Sequence, residues 1–276
     1  MLSGLTSRKC IQAILATIAF LITSHCYADT VTVNFTNVTG STSVKYSKDS
    51  GSTWQPGGST FVHAGQYNWT RTAGVSYLDV VGQPGKLQTF CIELSQSVAS
   101  GTTYTVTTTL VGLPIPGGSG IAQIDAAKEK QIQTLVNAYK TGALATTKGA
   151  TAATVDVIQA TLWNIINETV ANDWSVNTGA FQTKDSSSTS TWEGYVNAAL
   201  DYVRTNWGSY NSANASYFAV GLTSGTGQDQ ITIVNSGTYH SIPPVPAPAG
   251  LLLAGVAVGC LGGFSFLRRH KRQTAI

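Results

Sequence analysis

The sequence predicts an α+β fold with a β-rich, barrel-like or sandwich-like first part, an inserted bundle of about three helices, and strands that return after it. Apolar residues alternate with polar ones in the first third of the chain, helical spacing dominates the middle, and two more β-branched runs follow. A charge-free apolar run near the C-terminus adds a predicted transmembrane helix.

The strand predictions depend on a two-residue period. In residues 30–38, Val31, Val33 and Phe35 alternate with polar neighbours. Further β-branched or aromatic runs predict strands at 75–81, 88–94 and 104–111 and the returning strands at 217–222 and 230–235.

Three apolar stripes with spacings of three and four residues predict the helices, at 121–139, 155–165 and 192–203. A polar run at 185–190 predicts a loop between the second and third helices. We find no internal repeat.

The N-terminal residues have the pattern of a secretory signal. Arg8 and Lys9 precede an apolar run at 11–22, and small residues surround a cleavage position after Ala28. Residues 1–28 are therefore predicted to be a cleavable signal peptide.

The C-terminal residues have the pattern of a membrane anchor. A proline-rich linker at 241–250 leads into 251–267, which is uncharged and long enough to span a bilayer. The basic tail at 268–276 follows, and the positive-inside rule places it in the cytoplasm. We therefore expect residues 29–240 to form an extracytoplasmic domain.

These last thirty residues resemble the PEP-CTERM sorting tail. Pro246, Ala247 and Pro248 stand where the family has Pro-Glu-Pro, with alanine replacing the glutamate, and Arg268 and Arg269 begin the basic cluster. The resemblance implies processing by an exosortase-type enzyme in a Gram-negative bacterium, and a place at the cell surface or in the biofilm matrix.

The basic charge of the chain belongs to its two ends. The chain has 16 Lys and Arg against 13 Asp and Glu, but two of the basic residues lie in the signal and four in the tail. The remaining body is mildly acidic, so its charge gives no support for a nucleic-acid partner.

Only one of the four cysteines falls in the extracytoplasmic body. Cys10 and Cys26 lie in the signal and Cys260 in the apolar tail segment, which leaves Cys91 alone. An intramolecular disulfide is impossible there, and a free thiol outside the cytoplasm is prone to oxidation. Cys91 is therefore a buried inert residue, a nucleophile, or a residue bonded to something other than sulfur.

A glutamine on the second predicted helix offers a partner for the third option. Gln159 lies beside the apolar stripe and four residues before Trp163, so the two share a helix face. A half-buried amide must find partners, and a thiol held against its carbon could displace ammonia to leave a γ-glutamyl thioester.

The two segments resemble the motifs of the thioester domains of bacterial surface adhesins. Phe90-Cys91-Ile92-Glu93 is similar to the family's aromatic-Cys strand motif, and Ile158-Gln159-Ala160-Thr161-Leu162-Trp163 is similar to its helix motif. The resemblance implies a Cys91–Gln159 bond, with Trp163 as a shielding or positioning aromatic. It implies a non-enzymatic adhesin or matrix cross-linker that bonds covalently to a lysine amine on a partner.

Other functions remain open at this point. A non-covalent structural or exopolysaccharide-binding matrix protein needs only a buried Cys91. A cysteine hydrolase needs His63 beside Cys91 as a general base. Glu93 is expected to share the face of Cys91 on a strand, where it either polarises an amine or is a solvated or paired carboxylate. His240 is expected outside the fold.

No cofactor and no metal site are predicted. The two histidines of the body and its single cysteine have no metal-ligand spacing, and the glycine-rich stretch at 117–120 lacks the lysine of a phosphate-binding loop.

Overall fold

The computed structural model describes residues 29–57, 61–94, 98–115, 123–169, 175–186 and 190–242. They belong to one compact unit, Ala28–Pro244. The predicted signal peptide, the sorting motif (Pro246, Ala247, Pro248) and the tail with Arg268 and Arg269 lie outside the described residues. Within the described part of the chain, no helix combines the length and the apolar character needed to cross a bilayer.

The described residues form seven antiparallel strands. They are β1 (Thr30–Ser47), β2 (Val62–Gly74), β3 (Lys86–Cys91), β4 (Thr102–Thr107), β5 (Gln182–Asp185), β6 (Tyr217–Thr223) and β7 (Gln230–Asn235). The pairings run β1–β2–β3–β7–β6–β4 and return to β1, so six strands form a closed ring. Strand β5 pairs with the far end of β1. A mixed fold with a β-rich antiparallel sheet is thus confirmed.

Helices fill the middle of the chain between β4 and β6. Among the described residues they are α1 (Ala126–Thr141), α2 (Ala143–Lys148), α3 (Val155–Asn167), α4 (Ser190–Asn206) and, after β7, α5 (Ser236–Ser241). The three long helices correspond to the three predicted stripes. Helix α1 starts five residues later than its stripe because the Asp125 side chain caps it, accepting the Lys128 backbone N–H at 2.8 Å.

The strand predicted at 75–81 is wrong. Strand β2 ends at Gly74, whose φ of +85° suits glycine, and a Cβ there would lie 2.1 Å from the Thr30 carbonyl oxygen. The following residues form turns that are held by Asp79, which pairs with Arg71 and accepts the Gly85 backbone N–H. The apolar run therefore divides, with Leu78 buried and Val81 exposed.

Two smaller expectations also need correction. Part of the polar run predicted as a loop at 185–190 is structured, because Asp185 ends β5 and Ser190 begins α4. His240 was expected outside the fold, but it lies in α5 with its ring 5.9 Å from that of Phe218.

The strand ring separates two apolar clusters, and β6 shows how. Phe218, Val220 and Leu222 belong to one cluster, together with other residues of the ring strands. Ala219 belongs to the second, which holds most of the buried residues of α1, α3 and α4. Alternation along the strand therefore sends one face to the ring cluster and the other to the helices. Cys91 belongs to the second, helix-facing cluster.

Candidate functional site

Two elements position the candidate pair. Cys91 is the last residue of β3, and Gln159 lies in the second turn of α3. The start of α3 is fixed by Asp156, whose carboxylate accepts the Thr42 hydroxyl at 2.6 Å and the Trp192 indole N–H at 3.0 Å. These bonds tie the helix to β1 and α4.

The end of α3 is fixed by a buried lysine. Lys128, on α1, donates from Nζ to the carbonyl oxygens of Ile165, Ile166 and Glu168 at 2.6 to 2.8 Å. These contacts satisfy carbonyl groups at the C-terminus of the helix, where no further turn exists to accept from. Burial lowers the pKa of Lys128 to about 8. Both ends of the helix that carries Gln159 are thus held by side chains from neighbouring elements.

The structure brings Cys91 and Gln159 into direct contact. The Cys91 backbone N–H donates to Gln159 Oε1 at 2.9 Å, and Gln159 Nε2 donates to the Cys91 carbonyl at 2.7 Å. Gln159 has no exposed surface and Cys91 is 1% exposed. The amide group is therefore fixed by two hydrogen bonds to the backbone of the residue that carries the thiol.

The Cys91 thiol is held in a desolvated position. Its Sγ donates to the Glu93 carbonyl oxygen at 3.5 Å. Burial raises the pKa of Cys91 to about 12, and the nearby Glu93 carboxyl adds to this effect. At neutral pH the sulfur is therefore protonated.

Three neutral donors surround the sulfur and partly oppose the effect of burial on the Cys91 pKa. They are the Tyr67 hydroxyl, the Trp163 indole N–H and the Gln228 side-chain amide. The same Gln228 amide also donates to the Glu93 carbonyl. Trp163 is 1% exposed, and its Nε1 has no partner of normal hydrogen-bond geometry in the described part of the chain.

A cavity of about 300 Å³ opens beside Cys91. Its polar lining comes from His63, Glu93 and Gln228. Apolar and aromatic side chains form most of the wall: Phe35, Val38, Val62, Tyr67, Leu94, Val98 and Trp163. Such a lining disfavours water and charged groups near the sulfur.

Glu93 does not share a strand with Cys91, because β3 ends at Cys91. Its carboxylate is buried and accepts the Asp229 backbone N–H at 3.0 Å. Burial raises the pKa of Glu93, and the Asp229 carboxyl raises it further. Glu93 is therefore a paired, desolvated carboxyl on the cavity wall rather than a solvated one.

His63 lines the same cavity but is exposed. Among the described residues no hydrogen bond joins it to Cys91. The Cys-His contact that a hydrolase needs is therefore not formed in this structure. His240 lies in α5, a different part of the fold.

Sequence reasoning missed Tyr67 and Gln228 as residues of the site. Strand β3 lies between β2 and β7 in the ring, which brings Tyr67 of β2 and Gln228, just before β7, to opposite sides of Cys91. In the sequence Tyr67 looks like any strand aromatic. The only signal for Gln228 is the polar run that it begins before an apolar strand.

Comparison of the chain with protein-family models, curated proteins and solved structures finds no match. Within the described residues, no group of His, Cys, Asp and Glu side chains could hold a metal ion.

Proposed function

We propose that Cys91 and Gln159 form an internal thioester through which the protein bonds covalently to an amine on a partner. The observation that carries this proposal is that the Gln159 amide pairs at two points, at 2.9 and 2.7 Å, with the backbone of the residue that bears the thiol. Fixed geometry of this kind replaces a high reactant concentration.

The same hydrogen bonds suit the formation step. The Cys91 sulfur attacks the Gln159 Cδ, and negative charge develops on Oε1, which already accepts the Cys91 N–H. The bond from Cδ to Nε2 then breaks. Ammonia leaves with the proton that the thiol gives up, so the step needs no co-reactant.

The opening step is acyl transfer to a lysine amine. The amine nitrogen bonds to Cδ, the bond to sulfur breaks, and the product is an isopeptide with a free Cys91 thiol. The apolar lining of the cavity keeps water away until the partner arrives, and Trp163 forms part of that wall. The protein is consumed by the reaction and does not turn over, so we do not class it as an enzyme.

Export places this chemistry where a covalent bond is useful. We propose removal of residues 1–28, an extracytoplasmic domain at 29–240, and a transmembrane helix at 251–267 that anchors the protein for exosortase-type processing. At the cell surface or in the biofilm matrix the protein then acts as an adhesin or cross-linker. An isopeptide bond does not dissociate under flow.

A second candidate function is a non-covalent structural or exopolysaccharide-binding matrix protein. The observation that favours it is that both polar atoms of the Gln159 amide are already paired, while the thiol is buried and protonated. Buried cysteines of this kind act as small apolar residues.

Intact-mass spectrometry of the processed protein separates the two candidates. The thioester makes the chain lighter than its sequence by one ammonia. Methylamine adds across the bond, which releases an alkylatable thiol and leaves an N-methylated Gln159, so the chain becomes heavier than its sequence by one CH₂. Cys91→Ala and Gln159→Ala should each abolish the deficit, whereas Gln133→Ala, a buried glutamine on α1, should keep it. A full-weight wild-type chain with an unreactive Cys91 would overturn the thioester. Polysaccharide retention that survives Cys91→Ala would then support the second candidate.

A further inference from the structure

The surroundings of the Cys91 sulfur contain more hydrogen-bond donors than a resting thiol uses. Tyr67, Trp163 and Gln228 all line the cavity beside it. One N–H of the Gln228 amide donates to the Glu93 carbonyl, whereas the Trp163 N–H has no partner of normal geometry among the described residues. An unpartnered N–H on a side chain that is 1% exposed costs free energy and calls for an explanation.

A sulfur that carries negative charge supplies that explanation. A neutral thiol or thioester sulfur is a weak acceptor, whereas hydrogen bonds to a charged sulfur are much stronger. Neither Tyr67 nor Trp163 carries a charge at neutral pH, so neither holds the sulfur ionised at rest. The arrangement fits a group that becomes charged only during a reaction, since preorganised dipoles act where charge develops.

We infer that Tyr67 and Trp163 are catalytic residues of the thioester chemistry, donating hydrogen bonds to the Cys91 sulfur when the thioester forms and when it opens. The inference rests on the proposed thioester and gives Trp163 a role beyond shielding.

The opening step shows where the electrons and the proton go. As the amine nitrogen bonds to the Gln159 carbonyl carbon, the carbon–sulfur bond breaks and its electron pair stays on sulfur. The Tyr67 O–H and the Trp163 N–H stabilise that pair in a cavity whose wall is mostly apolar. The proton lost by the amine then reaches the sulfur and gives the thiol, so atoms and charge balance without another reactant.

The other titratable groups near the sulfur do not offer the same stabilisation. Glu93 and Asp229 are both buried carboxyls, and an ionised Glu93 disfavours negative charge on the Cys91 sulfur. Tyr104 is buried close to both carboxyls, and His63 lies at the exposed rim of the cavity. Among the described residues the Tyr104 hydroxyl also has no partner, but Tyr104 does not line the cavity, whereas Tyr67 and Trp163 are neutral aromatic donors that do.

The test compares Tyr67→Phe and Trp163→Phe with Tyr139→Phe in the processed full chain. Tyr139 is also a half-buried tyrosine, contacts Phe90 with ring centroids 6.2 Å apart, and lies outside the cavity. The measurement is the rate at which methylamine releases the Cys91 thiol from protein that shows the ammonia deficit. We expect each of the first two variants to react about ten- to a hundred-fold more slowly, the scale of one charge-assisted hydrogen bond, and the control to react at the wild-type rate.

The direction of the change separates a catalytic role from a merely shielding one. If Trp163 only excludes water, Trp163→Phe opens faster and its thioester hydrolyses to leave glutamate at position 159, which would overturn its assignment as a donor. Rates equal to that of the control would overturn both assignments while leaving the thioester intact. A wild-type chain without the ammonia deficit would instead overturn the thioester and with it this inference.

The alkylation rate of the released Cys91 thiol is a second measurement, and a change in packing alone would not alter it. Donors to the sulfur favour the thiolate, so Tyr67→Phe should raise the pKa of the thiol and slow its alkylation at any fixed pH. Alkylation as fast as in Tyr139→Phe would count against the Tyr67 hydrogen bond.

Discussion

Two buried glutamines dock helices onto the strand ring in the same way. Gln133 of α1 accepts the Ala219 N–H at 2.8 Å and donates to the Ala219 carbonyl at 3.0 Å, just as Gln159 of α3 pairs with the backbone of Cys91. Both strand residues face the helical cluster. The two-point pairing is therefore a structural device of this fold, and it does not by itself make a reactive site.

What distinguishes the Cys91 site is its surroundings. Where Ala219 has a methyl group, Cys91 has a thiol. A cavity opens beside this thiol, and Tyr67 and Trp163 place hydrogen-bond donors near its sulfur. Ala219 instead lies with no exposed surface within the apolar cluster. Variants of the two sites can therefore separate the contribution of proximity to thioester formation from the contribution of charge stabilisation.

Ala219→Cys gives the largest expected contrast, because it puts a thiol opposite Gln133 in the same pairing. We expect no second ammonia to be lost, since an apolar cluster offers nothing to stabilise charge on the new sulfur. Intact-mass spectrometry measures this directly. Loss of a second ammonia would show that pairing alone suffices.

Gln159→Leu and Gln133→Leu give the next largest contrast, in the free energy of unfolding. Gln133→Leu removes two hydrogen bonds and leaves a buried N–H and C=O unpaired, at a cost of about 2–4 kcal/mol. A thioester has already lost Nε2, so Gln159→Leu removes only the bond from the Cys91 N–H, at a cost of about 1–2 kcal/mol. Only Gln159→Leu also removes a covalent link that closes a long loop, worth about 2–4 kcal/mol more by analogy with a disulfide. Urea unfolding compares the two. Equal losses would argue that no link exists between residues 91 and 159.

Glu93→Gln gives the smallest contrast, and it depends on pH. Burial raises the pKa of Glu93, so the folded chain keeps this proton at pH values where the unfolded chain has lost it. Folding of the wild type is therefore penalised as the pH rises above the unfolded pKa of about 4.3, whereas the amide pays no such penalty and can still accept the Asp229 N–H. Unfolding midpoints measured from about pH 3 to about pH 8 should diverge upward in favour of Glu93→Gln. Parallel curves would contradict a desolvated carboxyl.

The helices were predictable from the sequence because their packing is periodic. The apolar stripe of α3 marks the helix from end to end, and that of α4 marks its buried face. The strand ring was harder, because β2 carries polar residues such as Asn68 and Thr70 and lacks a clean alternation. The run at 75–81 has the composition of a strand, but side-chain bonds from Asp79 fold it into turns.

The residues of the candidate site also fall into those that the sequence predicts and those that only the fold brings in. Cys91, Gln159 and Trp163 lie in short motifs that can be recognised locally, and the structure places them together. Tyr67 and Gln228 reach the sulfur only because β3 lies between β2 and β7, an order that is not visible in any one segment. Burial also decides the state of Glu93, and the local sequence does not reveal it.

Closure of the strand ring bears on how the protein behaves when many copies are crowded together. Within the described part of the chain, β5 lies at the end of the strand order, pairs only with β1, and has four residues. Lys184 on this strand adds a charge, a feature that discourages strand-to-strand association between molecules. Copies present at high density would therefore resist stacking into cross-β aggregates, and contacts between them would have to use side-chain surfaces instead of sheet extension.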